Sequence, residues 1–97
     1  MYQIEFTSEA LDDLQLFRKH DQAKILEVIE IQLQHQPQVD TRNRKRLRPN
    51  RVAEWELRLG RSRVFYDVLE ETKVAKIAAI GYKEGSQLYL HGEAFEL

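Results

Sequence analysis

WELRLGRSRVFYDV, residues 55–68, reads as two strands folded back on each other across Gly60-Arg61. Trp55, Leu57 and Leu59 alternate with Glu56 and Arg58, the period-two pattern of a strand with one buried face. Glycine at the first central position suits a two-residue type II′ turn. That turn sets Leu59 opposite Ser62, Leu57 opposite Val64 and Trp55 opposite Tyr66. A three-residue turn would set Leu59 against Arg63 and Trp55 against Asp67, mixing charge into the apolar face, so the two-residue register is preferred. On the other face the same register brings Arg58 directly opposite Arg63, with Arg61 in the turn between them. Like charges facing across strands repel. Two arrangements relieve this: an anion held by the arginine forks, or neutralisation by Glu56 or Asp67. The residues alone leave both open.

Upstream, Tyr2, Ile4 and Phe6 alternate with Gln3 and Glu5 as a first strand. Thr7 or Ser8 then offers a helix cap, and Ala10, Leu11, Leu14 and Phe17 recur at helical spacing. Asp21 is expected to cap a second helix carrying Ile25, Ile29 and Leu33, which Pro37 ends. Residues 36–53 read as a connection punctuated by Pro37, Asn43, Pro49 and Asn50, with Leu47 as the peg that ties it to the body. Downstream, Glu70-Glu71-Thr72 makes a turn into KVAKIAAI (73–80), apolar on both faces as a central strand requires. Gly81 is expected to end that strand. Leu88, Tyr89 and Leu90 form a short strand or a helical turn, and Phe95 and Leu97 a tail that docks. The order is strand, helical hairpin, then an antiparallel three-strand meander with a short C-terminal element: an α+β fold in one domain spanning 1–97.

The composition narrows the function. Ninety-seven residues, 42% apolar and 32% charged, describe a globular chain too short to divide into domains. There is no cysteine, which removes disulfides and thiolate metal sites and points to a reducing cytoplasm. No apolar run approaches the ~18 residues of a membrane span, and Met1 leads into a polar, acidic stretch, so neither a membrane partner nor secretion is expected. His20, His35 and His91 lack metal-ligand spacing and read as surface residues. No glycine loop cradles a phosphate, and no serine stands in a nucleophile context. Trp55 and Tyr66 share the inward phase and read as core, whereas Tyr82 and Tyr89 are freer.

The net charge of −1 hides a basic middle: residues 42–63 hold nine bases against only Glu54 and Glu56. Six of these, Arg42, Arg44, Lys45, Arg46, Arg48 and Arg51, follow one another without an intervening acid. Such a block is either a local anion site or a solvated loop.

Taken together, the first strand, the helical hairpin, the basic connection, WELRLGRSRVFYDV, AAIGYKE (78–84) and LYL (88–90) resemble the RelE/ParE superfamily of bacterial type II toxins. The resemblance spans residues 2–90. It implies a toxin held by a cognate antitoxin protein and, for a RelE-like member, ribosome-dependent cleavage of mRNA without metal or cofactor. On that pattern Arg63 matches the family's hairpin arginine and Arg58 a commonly basic strand position. Lys83 follows the strand glycine, and Tyr89 takes the place of a C-terminal tyrosine. Arg58, Arg63 and Lys83 would hold the scissile phosphate, and Tyr89 or Glu56 would move protons. Residues 42–51 and Arg61 would contact ribosomal RNA. Two strand positions that are lysine in RelE members are Glu54 and Glu56 here, and the family's C-terminal helix is not evident. Two other readings therefore stand beside the nuclease: a ParE-like inhibitor that acts on DNA gyrase through a surface, and a toxin-fold module with weak or lost nuclease activity.

Overall fold

A central strand with neighbours on both edges organises the chain. The computed structural model describes residues 1–97. Its elements run β1 (Gln3–Phe6), α1 (Ser8–Gln15), α2 (Lys19–Leu33), β2 (Arg44–Arg46), β3 (Trp55–Leu59), β4 (Ser62–Leu69), β5 (Val74–Glu84), β6 (Gln87–Leu90) and β7 (Glu93–Phe95). The sheet order is β2-β3-β4-β5-β6-β7, and β1 pairs in parallel with the first part of β5. The α+β fold and its order are as expected, with more strands than the meander alone. No helix is long and apolar enough to cross a membrane.

The hairpin has the expected register throughout: Trp55 faces Tyr66, Leu57 faces Val64, Arg58 faces Arg63 and Leu59 faces Ser62. Gly60 takes φ 57° and Arg61 does not enter the positive region, as the type II′ turn demands. Both helices lie on the face that carries Leu57, Val64, Tyr66, Ile77 and Ile80, and Ala10, Leu14, Ile25, Ile29 and Leu33 complete that core. Trp55 and Tyr66 stack within it, centroids 6.2 Å apart. The opposite face carries a smaller cluster of Ala53, Phe65, Ala79, Leu88 and Leu90, onto which Leu47, Val52 and Phe95 dock. Leu47 is thus the peg the sequence indicates, and Phe95 anchors the tail, whereas Leu97, expected to dock with it, stays exposed.

Three expectations are corrected. Thr7 caps α1, accepting from the Ala10 N–H at 3.1 Å, but α2 starts behind Arg18, so Asp21 sits in its first turn and caps nothing. Residues 36–53 are not all connection: Arg44–Arg46 pairs with Trp55–Leu57 as an edge strand. Gly81 does not end β5, which continues to Glu84. A Cβ at position 81 would collide with the Tyr89 carbonyl and the Leu90 side chain, so glycine is there to let β6 approach.

One edge of β5 is completed by a helix. β1 pairs only as far as Ile77, and β6 begins only at Tyr82. A bulge puts an extra residue, Ala78, between the pairs Tyr66–Ile77 and Phe65–Ala79. The exposed backbone is met by α1: the Thr7 N–H donates to Ile77 O, the Thr7 hydroxyl to Ala78 O, and Asp13 Oδ2 accepts from the Ile80 N–H at 3.0 Å. A buried backbone donor left unpaired would cost about 1–3 kcal/mol, which is why a carboxylate is tolerated at 2% exposure.

Candidate functional site

Strand alternation sorts the expected site residues. Arg58, Arg63 and Glu56 point to the face away from the helices, and Gly81, opposite Arg63, puts Lys83 on that face too. Glu56 is only 4% exposed there. Its Oε1 accepts from Arg58 Nε at 2.9 Å, and its Oε2 lies 4.0 Å from Arg63 Nε. Arg63 Nη1 donates to the carbonyls of Gly60 at 2.7 Å and Ser62 at 2.9 Å, which closes the turn over the guanidinium. Glu56 thus lies against both members of the arginine pair and offsets their repulsion. Asp67 serves elsewhere, accepting from the Glu54 N–H. Arg63 Nε is buried without a hydrogen-bond partner, the one such side-chain atom in the protein.

Tyr89 does not join this group. It pairs with Tyr82 across β5 and β6, one residue out of phase with Lys83, and its ring stacks on Tyr82 with centroids 5.2 Å apart. Phe17, just past α1, meets Tyr82 edge-on, so both tyrosines lie on the helix-bearing face. Arg61 lines a cleft on that same face, about 480 Å³ in volume, with Phe17, Arg18, Lys24, Leu59 and Tyr82.

The basic connection divides into engaged and free residues. Arg44 donates to Gln32 O at 2.6 Å and to Val39 O, pinning the connection to the end of α2. Arg46 pairs with Glu54 and lies over the Trp55 ring. Arg51 lies over the Phe95 ring, 4.8 Å from its centroid. Arg42, Lys45 and Arg48 are exposed and enter none of the ion pairs. Beneath this segment, burial pushes the Tyr66 phenol well above its ordinary pKa, an effect that Arg44 opposes and Asp40 reinforces. Tyr66 therefore stays protonated and donates to Pro37 O at 2.7 Å.

A family model described as the ParE toxin of type II toxin–antitoxin systems matches residues 4–86. The chain belongs to the ParE toxin family. Its fold matches that in the crystal structure of the RelBE2 toxin–antitoxin complex of Mycobacterium tuberculosis, with a TM-score of 0.74 and 24% identity over 84% of this chain and 91% of that one. A comparison with curated proteins returns no match. This ParE-family chain is thus a toxin of a type II system, and its partner is a cognate antitoxin.

Two residues of the toxin escape the sequence reading. Asp13 Oδ1 lies 2.7 Å from His91 Nδ1, a contact between side chains 78 positions apart. No spacing rule finds such a pair, because neither residue belongs to a local motif.

Proposed function

We propose that this toxin arrests translation by cutting mRNA in the ribosome. The observation that supports the reading is the shared sheet face of Arg58, Arg63 and Lys83, which Lys45 extends from its place opposite Glu56 in the edge strand. A phosphate on that face meets guanidinium and ammonium donors, the groups that stabilise charge developing on a phosphorane. Arg58 is 48% exposed at its side chain and can turn from Glu56 to an incoming phosphate. Free bases along the connection suit the RNA backbone, whose binding is driven by counterion release.

A second reading, inhibition of DNA gyrase by surface contact, is favoured by two observations. Glu56 already neutralises the arginine pair, and Tyr89 faces away from it. A surface inhibitor needs no proton-transfer group.

The experiment is a cell-free translation reaction with the purified toxin, with mRNA mapped for new 5′ ends, beside a gyrase supercoiling reaction. Arrest with cut mRNA is the expected result. Intact mRNA with blocked supercoiling would establish the second reading instead, and inactivity in both would mark a fold that has lost its toxicity.

A further inference from the structure

Neither proton-transfer group expected on the sheet face is free there, since Glu56 is buried between two arginines and Tyr89 lies on the far side. The protein has such a group elsewhere. His91 begins the His91-Gly92 turn between β6 and β7, with Leu90 paired to Glu93. Both turn residues have positive φ, 56° at His91 and 78° at Gly92. A left-handed position favours asparagine or glycine, so histidine is held there at a cost.

What it gains is Asp13. The carboxylate is fixed twice, by the Ile80 N–H on Oδ2 and by the imidazole on Oδ1. An ionised carboxylate only accepts, so Nδ1 carries a hydrogen, and in the neutral ring it is Nε2 that keeps the lone pair. The aspartate side chain is 2% exposed and the histidine side chain 44%. A buried anchor behind an accessible ring is the gradient a proton-transfer pair requires. An asparagine in place of Asp13 could accept from the Ile80 N–H but would turn a donor towards His91 Nδ1; only a carboxylate accepts from both, and its second oxygen is spent on orienting His91.

His91 also lines a cleft of about 410 Å³ with Arg51 and Phe95, where Glu9 is the single acid. Arg51, stacked on the Phe95 ring, brings the end of the basic connection to this cleft.

We propose that His91, oriented by Asp13, is a catalytic residue for cleavage of an RNA phosphodiester held by Arg51. The proposal rests on the RNA-cutting reading above but seats the scissile phosphate in this cleft, leaving Arg58, Arg63 and Lys83 to bind a neighbouring phosphate of the same strand. Nε2 takes the proton of the 2′-hydroxyl, whose oxygen bonds to phosphorus as the P–O5′ bond breaks. The 5′-oxygen leaves with a proton from solvent, and His91 returns its own proton to solvent. The products are a 2′,3′-cyclic phosphate and a 5′-hydroxyl.

The test uses His91→Gly and His91→Asn, because both residues suit the left-handed turn and keep the hairpin. Asparagine can also donate to Asp13, so it preserves any purely structural link. Cleavage should fall about 100-fold or more in both variants, the low end of what a positioned general base contributes. Added imidazole should restore part of the activity of His91→Gly. On titration with an RNA oligomer made uncleavable by a 2′-deoxy sugar at the cut, the His91 ring nitrogen signals should shift. Full activity in His91→Asn, or ring signals that ignore the oligomer, would overturn the assignment. If the wild type cuts RNA and His91→Gly matches it, this assignment alone fails. If the wild type cuts none, the reading beneath it fails as well.

Discussion

Glu56 and Arg63 approach each other across the hairpin with 4.0 Å between Oε2 and Nε, at side-chain exposures of only 5% and 13%. A buried carboxylate needs its cations, so this arginine has a structural role besides any role towards phosphate. Arg63→Ala leaves Glu56 with Arg58 as its sole partner and opens the Gly60 and Ser62 carbonyls. The expected loss is about 1–3 kcal/mol in urea or thermal unfolding. Arg63→Ala combined with Glu56→Gln should recover much of it, because the buried charge is then gone. A stability equal to wild type in the single variant would show that the 4.0 Å approach contributes nothing.

The hairpin was legible because two physical signals coincide: strict alternation from Trp55 to Leu59, and a glycine where φ is 57°. The edge strand Arg44–Arg46 shows no alternation, since none of its three residues is apolar, and what holds it is backbone pairing and the reach of Arg44 to Gln32. Glycine is ambiguous in sequence. At position 60 it turns the chain, and at position 81 it makes room for β6 within a continuing strand. That ambiguity also hid the site. If β5 ends at residue 80, nothing fixes the phase of β6, and the face on which Tyr89 falls cannot be read. Asp13 reads as an ordinary polar helix residue, because the gap between β1 and β6 that leaves the Ile80 N–H open lies along a distant strand.

Gly81→Ala puts a methyl group into the Tyr89 carbonyl and the Leu90 side chain. The carbonyl is backbone and cannot rotate away, so β6 must separate from β5. The expected cost is about 3 kcal/mol, the upper end of what overpacking typically costs. Hydrogen exchange should localise it, with faster exchange in Gln87–Leu90 and little change in Trp55–Leu59. Uniform loss of protection would mean that the two regions unfold as one unit.

Tyr66 sets the alkaline limit. Its phenol has a raised pKa in the folded protein, chiefly through burial, and an ordinary value of about 10 when unfolded. The stabilisation is therefore fully present below about pH 10 and is lost as pH rises from there towards the folded value. Above the unfolded pKa the slope approaches about 1.4 kcal/mol per pH unit from this one group. Tyr66→Phe gives up the hydrogen bond to Pro37 O and should be less stable at neutral pH. From about pH 10 upward its unfolding midpoint should decline less steeply than that of wild type. Parallel alkaline limbs would remove Tyr66 as the cause.

The basic connection should separate into residues that hold the fold and residues that hold RNA. Arg44 pins the connection to α2 and Arg46 covers Trp55, so alanine at either position is expected to lower stability. Arg42, Lys45 and Arg48 enter no ion pair, and their joint replacement by alanine should leave unfolding within about 0.5 kcal/mol of wild type. If these three side chains neutralise phosphates, affinity for ribosomes should fall. The slope of log affinity against log salt should also flatten, by about 0.7 for each phosphate of single-stranded RNA that is no longer neutralised. Co-sedimentation across a salt series measures both quantities in one experiment. An unchanged slope with unchanged affinity would place the ribosome-binding surface away from the connection, leaving Arg61 and its neighbours in the helix-side cleft as the positive surface to test next.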